Sequence, residues 1–169
     1  MKIFLATIAL VMVGAFVACS SDNNSPSNSP TKTAAATTRT ATTSASGGNT
    51  VTVKLQEWSI NPDVNSVNAG PVTFNVKNIG PAQKHEFVIL KTDLAPEDLP
   101  KKADGTVDEE GAGITSPGEI ADLAVGEEKS TTIDLTPGKY LFVCNLVDQQ
   151  GSATELHFTN GMVKAFTVR

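Results

Sequence analysis

From Val51 onward the apolar residues fall on alternate positions in short runs, and each run stops at a turn-forming cluster. Val51-Thr-Val-Lys-Leu-Gln56, Val72-Thr-Phe-Asn-Val-Lys77 and Ser130-Thr-Thr-Ile-Asp-Leu135 are such runs. Asn61-Pro62, Ala69-Gly70-Pro71, Asn78-Ile-Gly-Pro81 and Thr136-Pro-Gly-Lys139 are the stops. A period of two sends successive side chains to opposite faces, so each run reads as a β-strand with one buried face. His85-Glu-Phe-Val-Ile-Leu90, Tyr140-Leu-Phe-Val-Cys144 and Val163 to Val168 add three more, with Val64 to Val67 as a short piece. The one helical signal is Leu94 to Pro100, where Pro96 and the acidic pair Glu97-Asp98 start a turn that Pro100 stops. Short strands, frequent turns and at most one helical turn predict an all-β, Greek-key β-sandwich.

Between Lys91 and Glu128 the alternation weakens. Lys101 to Pro117, with its acidic cluster Asp108-Glu109-Glu110, reads as a solvated loop, with partner docking as the sharper alternative.

The first fifty residues differ in kind. Met1-Lys2 is a positive start, and Ile3 to Val17 is an uncharged apolar run too short and too soon followed by polar residues for a membrane span. Its end, Phe16-Val-Ala-Cys19, resembles the lipobox of bacterial lipoproteins, in which cleavage precedes a cysteine that then receives lipid. Residues 20–50, rich in Ser, Thr, Ala and Asn, cannot bury enough surface to offset the entropy of ordering them, so they read as a tether. It would reach roughly 100 Å stretched and about 30 Å as a coil. The expected organisation is a lipoprotein signal peptide over 1–18, a lipidated Cys19 with a disordered linker over 19–50, and one folded domain over 51–169. That domain carries 17 acidic and 10 basic residues, a net charge of −7. Such a balance, with no cationic cluster, excludes nucleic acid as a natural partner and fits steering toward a basic one.

The chemistry concentrates near the end of the chain. Cys144, His157 and Met162 lie between two strand-like segments, and His85 is the only other histidine. Thiolate and thioether are soft donors and imidazole is intermediate, so a site of all three favours copper. Zinc takes Cys and His, but a Met ligand argues against it. With Cys19 lipidated, Cys144 has no intrachain disulfide partner, and a lone thiol in an oxidising compartment needs burial or a metal. Each residue also has a plain reading: a strand-edge histidine, a buried core cysteine, a packing methionine, and Glu57 and Glu155 as solvated charges.

Three stretches together resemble the cupredoxin family, the plastocyanin/azurin-like blue copper domains found on many bacterial lipoproteins. They are Val76 to Ile89 around His85, Thr136 to Leu146 around Cys144, and His157-Phe-Thr-Asn-Gly-Met162 running into Val168. The resemblance implies one copper ion held by His85, Cys144 and His157 with Met162 as a weak axial ligand. It also implies electrons leaving through an edge of His157 that, with Phe158, forms an apolar surface. Two features depart from the family pattern. Twelve residues separate Cys144 from His157, where the family has a few, and an outward, flexible excursion with a more open site is the expectation. Glu86 stands where well-known members have Asn, and Asn145 is placed to meet it.

The functional expectation is a monomeric, membrane-tethered carrier of single electrons between redox proteins of the bacterial cell envelope, such as a cytochrome, oxidase or reductase, on the extracytoplasmic face. The rival is a lipoprotein that delivers copper to an apo-enzyme. An enzyme is not expected, since an oxidase or reductase needs a further copper centre and two histidines are too few to build one. A metal-free adhesion module on the same sandwich is the remaining alternative.

Overall fold

The computed structural model describes residues 49–169; the expected signal peptide, Cys19 and most of the linker lie outside the described residues. Eleven strands are found there: β1 (Asn49–Gln56), β2 (Ser59–Pro62), β3 (Ser66–Val67), β4 (Gly70–Asn78), β5 (His85–Lys91), β6 (Thr115–Leu123), β7 (Glu128–Leu135), β8 (Gly138–Val143), β9 (Val147–Gln150), β10 (Ala153–Leu156) and β11 (Val163–Val168). The expected helical turn is a 3-10 turn at Pro96–Asp98.

One sheet has the order β2-β1-β4-β7 and the other β3-β11-β8-β5-β6. The chain therefore changes sheet on entering and leaving β3, between β4 and β5, between β6 and β7 and between β7 and β8, giving the β-sandwich that the alternation predicts. Val51, Val53 and Leu55 of β1 and Val72, Phe74 and Val76 of β4 are fully buried against Phe87, Ile89, Phe142 and Phe166 of the opposite sheet. The Phe142 ring sits 4.8 Å from Phe87 and 4.6 Å from Phe166, with Phe74 edge-on at 5.6 Å. Burying one such side chain contributes about 1.5–3 kcal/mol. At the β7–β8 turn, the Tyr140 hydroxyl donates to the Thr136 carbonyl at 2.7 Å, pinning the Pro137-Gly138 corner.

The weakly patterned stretch after β5 is more structured than a solvated loop. Val88 and Leu90 point away from the sandwich, as do Leu141 and Val143 on β8, yet all four are buried with Leu99 and Val107 in a second apolar cluster. The segment between β5 and β6 thus covers the outer face of the two central strands. This explains why both read as nearly continuous apolar runs rather than strict alternation. Strand β6 escapes the sequence pattern because only Ile120 and Leu123 of its nine residues are buried.

Candidate metal centre

Strands β5 and β8 pair antiparallel, so the start of one lies beside the end of the other. His85 is the first residue of β5, and Cys144 follows the last residue of β8 on the face already carrying Tyr140 and Phe142. The same alternation that fills the core therefore aims both side chains into its rim.

His157 reaches them by a different route. The twelve intervening residues fold back on themselves as the antiparallel β9–β10 hairpin, with Val147 opposite Leu156. The His157 N–H then donates to the Leu146 carbonyl at 3.0 Å. Pairing within the insertion brings its ends together, so the ligand loop closes as though the insertion were short. The expected flexible, open excursion is corrected here: the segment is a hairpin turned onto the site.

The donor atoms converge. Nδ1 of His85 and Nδ1 of His157 are 3.2 Å apart, and Cys144 Sγ lies 3.3 Å from the latter and 3.9 Å from the former. The circle through a triangle of these sides has a radius of about 2.0 Å, the length of a metal–imidazole bond and slightly under that of a metal–thiolate bond. All three side chains are fully buried. Met162 is fully buried in the same cluster as Cys144; its N–H donates to the His157 carbonyl at 3.0 Å and its carbonyl accepts the Cys144 N–H at 3.1 Å. Gly161 turns the chain between His157 and Met162 at φ +115°, a conformation that L side chains rarely adopt.

Electrostatics at the site favour neutral imidazole and a metal-dependent thiolate. Burial, then the neighbouring His157, holds His85 below its ordinary pKa, leaving a free nitrogen for coordination. Burial pushes the Cys144 thiol up to about 12, opposed by N–H groups of Glu86 and Leu146 that point at the sulfur. With a cation held among these donors, the Cys144 sulfur would bind as the thiolate. Two imidazoles and a soft sulfur within bonding reach of one point, walled off from water, fit a single copper ion.

The surroundings fix the ligands. Glu86 donates its N–H to Cys144 Sγ at 3.4 Å, and its Oε1 accepts the Asn145 N–H at 2.8 Å, the contact expected from the sequence. Burial, only partly offset by that N–H, pushes the Glu86 carboxyl up to about 7. The Asn145 side chain grips the covering segment, accepting from the Val107 N–H at 2.8 Å and donating to the Val107 carbonyl at 2.9 Å and Glu109 at 3.0 Å. Glu109 is thus tied to the metal-site wall rather than free in a loop.

Three carboxylates were not expected in site roles. Glu57 Oε1 accepts the N–H groups of Ala82 and Gln83 at 3.1 and 2.7 Å and lies 4.0 Å from His85 Nε2. Burial would raise its pKa, but those N–H groups and His85 outweigh it and hold the carboxyl below the usual range. Gly80 lies close beside it, and a Cβ there would push the Glu57 carboxylate aside. Asp148 Oδ2 lies 3.0 Å from His157 Nε2, and Glu155 accepts a hydrogen bond from Gln83 Nε2 at 2.9 Å. The reading of Glu57 and Glu155 as solvated charges is therefore corrected. Their signal in sequence was position alone: Glu57 precedes the only tryptophan, and Asp148 and Glu155 flank a Gly151-Ser152 turn.

The expectation of an exposed His157 edge is also corrected. His157 is covered by Asp148 at Nε2 and by the Trp58 ring, edge-on at 5.1 Å. Phe158 packs on the outer apolar cluster with Lys101 Nζ 3.9 Å above its ring.

Residues 9–154 match the family model described as Cupredoxin-like domain, a match that ends before His157 and Met162. No curated relative matches the sequence. Among solved structures, dithionite-reduced auracyanin from Roseiflexus castenholzii is 22% identical, covering 72% of this chain and 98% of its own, with a TM-score of 0.49. Azurin Az-iso2 from Methylomonas sp. strain J is 17% identical over 72% and 98%, at 0.47, and rusticyanin from Thiobacillus ferrooxidans 18% identical over 72% and 79%, at 0.49.

Proposed function

The chain belongs to the cupredoxin-like family, and from that premise we propose that it is a type 1 (blue) copper protein carrying single electrons, tethered to the membrane of the bacterial cell envelope through Cys19. The observation that carries this reading is the convergence of His85 Nδ1, His157 Nδ1 and Cys144 Sγ in a fully buried triangle.

Copper bound there would supply a couple that takes up and releases one electron. The chain's own part is to hold the donors still. Cys144 is fixed by its place at the end of β8 and by N–H groups directed at its sulfur. His85 is fixed at the start of β5, and the buried walls keep water from competing for the donors. Met162, buried in the same cluster as Cys144, would add a weak sulfur donor. Donors held on strands and a closed loop have little room to rearrange between oxidation states, which suits fast electron exchange.

The rival reading, copper delivery, needs ligands that an acceptor can reach, and their complete burial argues against it. Partners are proposed as redox proteins of the envelope, a cytochrome, oxidase or reductase, drawn to the domain's net charge of −7. Voltammetry of the copper-loaded full-length chain tests the proposal. A reversible one-electron wave with copper retained supports the carrier; colourless Cu(I) binding with ready loss to a soluble acceptor favours delivery. Lipid incorporation that disappears in Cys19→Ala tests the tether.

A further inference from the structure

Within the described residues, the β9–β10 hairpin contributes nothing to either apolar cluster, yet it is held to the site by two carboxylates of one rung. Asp148 and Glu155 are directly opposed across the hairpin, so their side chains project from the same face. One meets His157 Nε2 at 3.0 Å. The other accepts from Gln83, whose own N–H is bonded to Glu57 beside His85. The hairpin therefore bridges the surroundings of both imidazoles.

His157 differs from His85 in needing such support. It sits outside any strand, at the foot of the hairpin, so no sheet pairing sets the direction of its ring. A neutral imidazole carries one proton. Nδ1 faces Cys144 Sγ and His85 Nδ1, so coordination requires a lone pair there and the proton on Nε2. The ring is fully buried, and its Nε2–H needs an acceptor.

We propose that Asp148 is a positioning residue for the metal centre: by accepting the Nε2–H of His157 it fixes the tautomer and plane that present Nδ1 to copper, while the Glu155–Gln83 bond holds the hairpin in place. The inference rests on the copper reading above. A carboxylate behind a ligating imidazole makes the other nitrogen a stronger donor. Its negative charge favours Cu(II) over Cu(I), so Asp148 lowers the reduction potential.

The test compares the native full-length chain with Asp148→Asn and Asp148→Ala. Potentials are read on the copper protein, and the His157 Nε2–H is read by nitrogen-15 NMR of the diamagnetic Cu(I) form. In the native chain this proton resonates and exchanges slowly with water. Asp148→Asn keeps a carbonyl acceptor but loses the charge, so the proton stays protected while the potential rises. Asp148→Ala loses both: exchange accelerates and Cu(II) affinity falls about 10- to 100-fold. A tenfold loss confined to Cu(II) raises the potential by about 59 mV. Gln83→Ala, which frees the hairpin, shifts both readouts in the same direction by less. Native potential and native exchange in both Asp148 variants overturn the proposal. A native chain that never develops sulfur-to-copper absorption overturns the copper reading itself; a native band beside unaffected variants overturns only the role of Asp148.

Discussion

His85 and His157 present the same nitrogen to the same point, but the chain holds them by opposite means. His85 is the first residue of a central strand, oriented by the sheet, and its Nε2 makes no hydrogen bond, with Glu57 4.0 Å away. His157 lies beyond the strands and is fixed by a hydrogen bond to Asp148 and by the edge of Trp58. A ligand on a strand inherits its direction from backbone pairing. A ligand on a loop needs outside partners, and here an inserted hairpin and an N-terminal aromatic provide them.

If the strands are the platform and the hairpin an accessory, the two should separate energetically. Phe142→Ala, beneath the Cys144 end of β8, is expected to destabilise the metal-free chain by about 3–5 kcal/mol in urea denaturation. Replacing Asp148 to Glu155 with a short Gly-containing link should cost far less, because that segment adds nothing to the apolar clusters. Equal losses would break the distinction.

Next in size is the response to pH. In the metal-free protein the Cys144 pKa is raised to about 12, so the thiol keeps its proton through neutrality, while the lowered His85 is already neutral. Ion binding then expels about one proton from Cys144, and affinity rises about tenfold per pH unit from 7 to 9. Chelator competition at fixed pH values measures the slope; a flat profile would mean the thiol is not a ligand.

Gly161→Ala tests the His157 side alone. Its φ of +115° strains any residue with a Cβ, and the expected cost is about 1 kcal/mol or more, read as a lower unfolding midpoint with the His85 resonances undisturbed. The smallest effect is assigned to Glu57→Gln. At 4.0 Å, with no direct hydrogen bond, it should move the potential upward by less than Asp148→Asn. A larger shift from Glu57 would invert the comparison of the two histidines.

The strands that carry His85 and Cys144 were legible as short apolar runs next to turn clusters, with His85, Phe87 and Ile89 on one face of the first and Tyr140, Phe142 and Cys144 on one face of the second. The three donors that the structure brings together, His85, Cys144 and His157, were legible from residue type. Strand β6 was not, since an edge strand with two buried residues has no alternation to read. The outer cluster around Val88 and Leu99 joins residues from distant stretches, though the unbroken runs Phe87-Val-Ile-Leu90 and Leu141-Phe-Val143 carried its signature. The hairpin was readable in principle: two residues, Gly151-Ser152, lie between paired strands, a turn signal in an otherwise polar stretch. The parts played by Glu57, Asp148 and Glu155 depend on which charges meet in space, and local sequence does not encode that.

The most direct test of the whole account is the visible and paramagnetic-resonance spectrum of the copper-loaded full-length chain beside Cys144→Ala, with copper counted per chain. One copper ion and a strong sulfur-to-Cu(II) band, lost in the variant, is the predicted result. The same band and copper content in Cys144→Ala would contradict it.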